Sequence, residues 1–522
     1  MTNNIKQIAK AAEVEERQSA LLSNAAAIQA LASAVEGTLG PKGLDCMLVD
    51  RLGDVTITND GSAILDKIDI NHPAARMLVR AAKAQEEEVG DGTTTATILA
   101  SALIAQAANH IGKGVPVTKV IEGIGLGTRE AASFIEEQSV GIQDLTDPML
   151  RRAALISGRG NEDIADLVVK AAQMVGIEKL LDPGFRLSGA IVAEEGAANE
   201  VFNGLIIDKE PMNKQMPRDL RDVRVMIVDD ALEPEKMEDE AMRSESGFAR
   251  YAQHQDEFAE SLRRIPELGV RFVAVAKGIH DTAEEALTEA GVMAVRRVSS
   301  RDIARLAEHT GARPIKRSGL KKDTDELAKF VGSCLRVYQD ERLEHVRIVG
   351  GTGKPAATIL VGASTREVRD ERERIAQDAA AAAQAAVRGG VVAGGGAVEI
   401  GAARNVQRLR ENVKGMAAYG VDCVEEALKR PLAQIVANAG FNPLEKVEDV
   451  ISAQSEHGNL CLAVDCDDGA VSDMMKAGVV DPTAVKLHAL KAAAEIADAV
   501  LRINTIIRKR SDADTGNTND AP

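Results

Sequence analysis

The sequence predicts a multidomain protein in which a mainly helical domain, built from both ends of the chain, is interrupted by an inserted α/β domain. Three observations carry this prediction. The chain has 522 residues, more than one hydrophobic core accommodates. Its outer segments carry apolar residues at helical spacing, first at Leu21, Leu22, Ala25, Ile28, Leu31 and Val35. Between about residues 201 and 361, strand-like runs alternate with helical ones, the pattern of an α/β unit.

Taken in order, residues 19–35 read as a helix that stops at Gly37-Thr38-Leu39-Gly40-Pro41-Lys42-Gly43. A hairpin follows, with strands over 46–50 and 55–58 and a turn at Arg51-Leu52-Gly53-Asp54. Asn59-Asp60-Gly61 ends it and starts a helix; Asp60 by itself reads as a turn former. In the inserted region, strands over 223–228, 270–276, 292–298 and 356–361 alternate with helices over 281–290 and 302–309. Residues 233–268 join two strands with far more chain than a turn requires. Within them Phe248, Tyr251, Phe258, Leu262 and Ile265 fall near one helical stripe, and Pro266 should end or kink that helix. Two readings stand for the stripe: a helix packed on its own domain, or an apolar surface held out for a partner.

Gly350-Gly351-Thr352-Gly353-Lys354 looks like a phosphate loop, but no helix follows it. Strand-like residues 346–349 and 356–361 flank it, so it reads as a hairpin turn. Residues 364–388 form a long helix, broken by Gly389-Gly390; Val391-Val392-Ala393 is a short extended run, and Gly394-Gly395-Gly396 leads back into helix. Residues 415–439 and 482–507 read as long helices, and the polar end from Arg508 onward as a disordered tail. No short-period repeat is present.

Composition narrows the class. With 45% hydrophobic and 27% charged residues the chain is ordinary for a soluble globular protein. Aromatics make up 2%, with no Trp, so the core rests on Ala, Val, Ile and Leu. A net charge of −17 argues against nucleic acid or an anionic membrane as partner. The five cysteines have no C-x-x-C pair and read as reduced thiols. Residues 1–11 lack the apolar stretch of a secretion signal, and no run reaches membrane-span length, which together predict a cytoplasmic protein.

The chemistry concentrates in Val89-Gly90-Asp91-Gly92-Thr93-Thr94-Thr95-Ala96-Thr97. The glycines permit a tight turn. Three hydroxyls and a run of backbone N–H groups then open an apolar helix (Ile98, Leu99, Leu103, Ile104), the usual presentation of a helix N-terminus to phosphate oxygens. Asp91 is an acid where an anion should sit, and it repels phosphate unless a hard cation bridges the two. The loop therefore reads as a Mg²⁺–nucleotide site, or else as a helix cap in a Gly-Thr turn. It is not a Walker A loop, because the G-x-x-x-x-G-K-[ST] spacing and its lysine are missing.

Thr38-Leu39-Gly40-Pro41-Lys42-Gly43, Asn59-Asp60-Gly61, Gly90-Asp91-Gly92-Thr93-Thr94-Thr95, Val391-Val392-Ala393-Gly394-Gly395-Gly396 and Val480-Asp481-Pro482-Thr483 occur in that order. As an ordered set from about Glu16 to Ile507 they closely resemble the chaperonin (60-kDa heat-shock protein) family. The long insertion over 233–268 and the lack of a Gly-Met-rich tail make the chain resemble the group II, thermosome-like branch.

That resemblance implies the chaperonin fold: an equatorial ATPase domain (1–144 and 395–522), a small α/β intermediate domain (145–208 and 362–394) and an α/β apical domain (209–361). The apical domain would carry a helical lid protrusion at 233–268, presenting Phe248, Tyr251, Phe258 and Leu262 to clients. It implies an ATP-dependent chaperone, with copies of itself or paralogous subunits in a double ring of eight or nine per ring, acting on unfolded proteins. ATP and Mg²⁺ would be bound, with K⁺ a candidate further cation. By matching motif, Thr38, Leu39, Gly40 and Pro41 would line the phosphates, Asp91 would hold Mg²⁺, and Gly92 with Thr93, Thr94 and Thr95 would bind the β- and γ-phosphates. Gly395 and Gly396 would approach the ribose or base, Asp481 the ribose and Asp465 the adenine, while Asp60 and Asp378 would flank the attacking water. Asp378 also has a plainer reading as the i+4 ion-pair partner of Arg374.

The sequence departs from the family at several places. Arg159, in Ser157-Gly158-Arg159-Gly160, stands where the family often has a nucleotide-sensing lysine. Asn504 replaces a usual Asp, and residues 1–13 do not show the extended segment that group II subunits lend to a neighbour's sheet. Two other functions are weighed beside the folding machine: a nucleotide-binding structural subunit of a hetero-oligomeric ring, and a small-molecule kinase using the Asp91 loop. Retention of Asp60, Asp91 and Asp378 speaks against the first, and the split domain against the second.

Overall fold

The computed structural model describes residues 12–15, 17–53, 55–235 and 245–509. The expectations that fall on residues 1–11, Glu16, Asp54, 236–244 and 510–522 lie outside the described residues. The chain divides into two units, one of residues 1–165 and 374–522, the other of 166–373. It passes from the first to the second within the helix Glu162–Val175 and returns within the helix Arg366–Gly389.

The first unit is helical because its sequence supplies long runs with Ala, Leu, Ile and Val at helical spacing. The helix Thr93–Gly112 is apolar nearly all round, and Ile98, Leu99, Leu103, Ile104 and Ala107 are each at most 3% exposed. It packs against the helices Arg17–Val35, Ala418–Asn438 and Thr483–Leu501, so the core joins both ends of the chain through Ile28, Leu103, Val424 and Leu490. The hairpin Cys46–Val49 and Val55–Thr58 forms with Met47 opposite Ile57 and Val49 opposite Val55. The short strand Val391–Ala393 pairs antiparallel with Val480–Pro482.

The second unit holds an eight-stranded mixed sheet, in spatial order Ile191–Glu195, Ala357–Ala363, Glu200–Ile207, His345–Gly351, Gly332–Asp340, Asp219–Val228, Val270–Val275 and Met293–Val295. Alternate side chains of one strand serve opposite faces. Met226 and Val228 join a core with Phe258, Leu262 and Ile265 of the helix Glu245–Glu267, whereas Val225 and Ile227 join one with Ile303 and Leu306 of the helix Ser300–Thr310.

Several expectations are corrected. Gly350 to Lys354 is not a hairpin turn: the strands on either side are separated in the sheet by Glu200–Ile207, so the segment is a crossover. Periodicity marks strands but carries no partner information. The crossover is held by His309, whose Nε2 accepts from the Gly351 N–H at 2.9 Å. The last helix ends at Leu501, not near 507, and Ile506–Lys509 is a strand paired with Ala12–Glu15. Arg508 and Lys509 therefore leave the predicted tail, and part of the N-terminal segment is extended after all. The helix Glu245–Glu267 does form, and Pro266 stands one residue before its end. Phe258 and Leu262, expected to face a client, are 6% and 3% exposed in their own unit's core. Their apolar surface is already covered. Tyr251 is half-buried, and of the Phe248 side chain nothing is described.

Candidate functional site

Three helix starts converge in the first unit. Asp60 caps the helix Gly61–Lys67, its Oδ1 accepting from Ser62 N–H at 3.0 Å and its Oδ2 from Ala63 N–H at 3.1 Å. Gly92 stands before Thr93–Gly112, and Gly396 before Ala397–Asn412, both in the left-handed conformation that a side chain resists. Neither glycine supplies a side-chain cap, so both helix N-termini keep N–H groups for an acceptor. Gly90 is required for a second reason: a β-carbon there would come within 2.3 Å of Ala381 Cβ. The missing side chain lets the Asp91 loop lie against the helix that carries Asp378.

Around these starts opens a cavity of about 560 Å³. Thr38, Leu39, Gly40 and Pro41 line it, with Asp60, Asp91, Gly92, Thr93, Thr94, Thr95, Arg159, Asp378, Gly395, Gly396 and Asp481. The structure thus brings together the residues singled out as nucleotide, metal and catalytic candidates, with one exception. Asp465 lies in the turn between Leu462–Val464 and Val471–Asp473, its Oδ1 accepting from Asp467 N–H, and is not among the lining residues. Lys42 pairs with Asp467 at 2.6 Å, and Asn504 is exposed beside Thr505.

Asp378 lines the cavity together with the Asp91 loop. It belongs to the same unit and lies 3.6 Å from Arg159. The long helix Arg366–Gly389 carries it, entering the first unit at Arg374, before Asp378.

Two charged lining residues were missed, Glu86 and Lys486. Glu86 stands in an acidic run that looks solvated, yet it follows Leu78 and Ala82 at i+4 spacing on the buried stripe. Its Oε2 accepts from Thr93 Oγ1 at 2.8 Å. Lys486 sits in the first turn of Thr483–Leu501, where a cation is disfavoured by the helix dipole. Its Nζ lies 2.7 Å from both Glu399 Oε1 and Asp481 Oδ2.

The site is anionic: among the described residues, five carboxylates (Asp60, Glu86, Asp91, Asp378, Asp481) and two cations (Arg159, Lys486) line it. Burial, reinforced by the charges of Asp60 and Asp91 against the opposing Thr93 hydrogen bond, pushes Glu86 up to about 7. Burial likewise raises Asp91, although Ser157 Oγ–H at 2.5 Å and the Gly92 N–H both donate to it. Burial and the neighbouring Asp91, Glu86 and Asp60 charges raise Asp378 well above the usual carboxylate range, with Arg159 in opposition. Burial opposes the charge on Lys486, but Asp481 and Glu399 outweigh it and raise its pKa. The carboxylates concentrate negative charge in the cavity, and perturbed groups of this kind mark a functional site.

The sequence profile of the TCP-1/cpn60 chaperonin family matches residues 31–511. The chain is 34% identical over 516 residues to the thermosome subunit alpha of Thermoplasma acidophilum, covering 95% of this chain and 93% of the relative. To thermosome subunit 3 of Haloferax volcanii it is 35% identical over 509 residues, covering 94% and 95%. Among solved structures it is similar to a group III chaperonin in the open state, with a TM-score of 0.86 and 46% identity, covering 94% of this chain and 99% of that one. Among the described residues no helix is long and apolar enough to cross a membrane.

Proposed function

The chain belongs to the TCP-1/cpn60 chaperonin family, and on that premise we propose that it is a cytoplasmic, ATP-hydrolysing chaperone subunit that works in a double ring on unfolded proteins. The observation that carries the nucleotide half is the cavity itself. Two uncapped helix N-termini face a volume of about 560 Å³ together with an acid, Asp91, that burial and its neighbours leave short of positive charge. Anionic phosphates suit the N–H groups, and Mg²⁺ suits a site of oxygen ligands with one or two carboxylates, because it takes the rest of its shell from phosphate and water. Asp91 would hold that ion. When bound, it neutralises phosphate charge and relieves the repulsion among Asp91, Asp378 and Glu86.

In this reading Thr38 to Pro41 and Thr93 to Thr95 orient the phosphates, and Asp481 meets the ribose. Asp378 takes the proton of the attacking water, a role its raised pKa suits. Asp60 is the weaker candidate base, because both its oxygens already accept hydrogen bonds from the helix it caps. Arg159 steers Asp378 rather than the water. The equatorial, intermediate and apical division stays part of this proposal, as do the ring number and a K⁺ ion.

Assembly draws on the hairpin. Met47, Val49, Val55 and Ile57 share one face and are 51–63% exposed. A contiguous apolar strand face of this kind fits a second subunit.

Asp91→Ala tests the reading. The variant should fold, because it removes a charge that burial disfavours, yet lose Mg-ATP turnover and bind Mg-ATP weakly. Unchanged hydrolysis would remove Asp91 from the metal site.

A further inference from the structure

The cavity contains an ion-pair relay that the phosphate chemistry does not use. Asp481 is fixed from below by the pairing of Val480–Pro482 with Val391–Ala393, which sets it opposite Val392. Its side chain is 21% exposed and lines the cavity. Lys486 bridges it to Glu399, at 2.7 Å on each side, and the Glu399 side chain is 3% exposed. Neither Glu399 oxygen meets a hydrogen-bond donor of good geometry, so the Lys486 charge is what compensates them.

A lysine in this place is costly on two counts. It is nearly buried, and it lies in the first turn of a helix, whose dipole repels it. Its stem runs back toward the helix start, as side chains on helices do, which carries Nζ to Asp481. A purely apolar packing residue would fill that volume without either cost. The arrangement is therefore explained by what the lysine does to the carboxylate beside the cavity.

We propose that Lys486, anchored by Glu399, is a positioning residue that holds Asp481 as a fixed acceptor-only carboxylate, and that this pair makes the site select a ligand bearing a vicinal hydroxyl pair over its deoxy analogue. This rests on the nucleotide reading above and deepens it to a preference for the ribose. A carboxylate in this state only accepts hydrogen bonds. A ribose offers it two O–H donors; a 3′-deoxyribose offers one and leaves an oxygen of a partly buried anion unmatched. Without Lys486, Asp481 loses the partner 2.7 Å away that fixes its carboxylate, and is free to turn away from the hydroxyls.

The test compares Mg-ATP and Mg-3′-deoxy-ATP binding by calorimetry in wild-type protein and in the Lys486→Met/Glu399→Gln double variant, which removes both charges together so that the buried Glu399 is not left without its cation. Wild-type protein should prefer ATP by about tenfold or more, and the double variant should lose most of that preference while both nucleotides still bind through the phosphates. A folded double variant with wild-type discrimination would overturn the inference alone. Wild-type protein that binds neither nucleotide would overturn the nucleotide reading, and the inference with it. Should the double variant not fold, Glu399→Gln carries the same comparison: reduced discrimination supports the anchor, and unchanged discrimination overturns it.

Discussion

The guanidinium of Arg159 lies 3.6 Å from Asp378 Oδ2, and both side chains line one cavity. Arg159 holds a left-handed backbone angle, φ 54°, that a residue with a side chain adopts only under constraint. Asp378 is 16% exposed and surrounded by Asp60, Glu86 and Asp91, so Arg159 is the charge that makes its burial tolerable. The arrangement gives the carboxylate a raised affinity for a proton while keeping it aimed into the cavity.

Glu86 gives a pH prediction. Its pKa in the folded protein is about 7, above the ordinary 4.5, so the folded state binds a proton that the unfolded state has released. Stability from this group is present below the unfolded value and is lost as pH rises through about 7. Glu86→Gln keeps a group able to accept from Thr93 Oγ1 and removes the charge. The variant should match wild type near pH 4.5 and be more stable at pH 8 by up to about 3 kcal/mol. Thermal melts of ligand-free protein across that range check it; equal melting temperatures at pH 8 would contradict the assignment.

The helix Glu245–Glu267 gives another. Because Leu262 packs with Met226, Val273 and Ile265, Leu262→Ala should destabilise the second unit by about 2–5 kcal/mol, the cost of a large-to-small core change. A surface residue reserved for clients would show almost no change in a denaturant melt. Removing the helix Glu245–Glu267 would take Phe258, Leu262 and Ile265 from the core they share with Met226 and Val228.

What was legible in the sequence follows from what local pattern encodes. Helices such as Arg17–Val35 and Thr93–Gly112 were readable because burial repeats along them at fixed spacing. The loops at Thr38, Asp91 and Gly395 were readable because Gly and Thr mark helix ends and starts, and their order was specific. Glu86 and Lys486 were not, since acids and lysines are ordinarily solvated and only the helical phase of Leu78 and Ala82, or the wrong charge at a helix start, sets them apart. The crossover at Gly350 and the burial of Phe258 were hidden for another reason: strand partners and covering faces are long-range facts.

Single-turnover hydrolysis of Mg-ATP by Asp378→Ala, measured beside ATP affinity, tests the central claim most directly. The phosphate and metal contacts come from other residues, so affinity should change little while the chemical step slows by about 10²–10⁴-fold, the range for losing a positioned base. The variant would then hold unhydrolysed ATP. Near-normal turnover would contradict the account and leave Asp378 as no more than the ion-pair partner of Arg159.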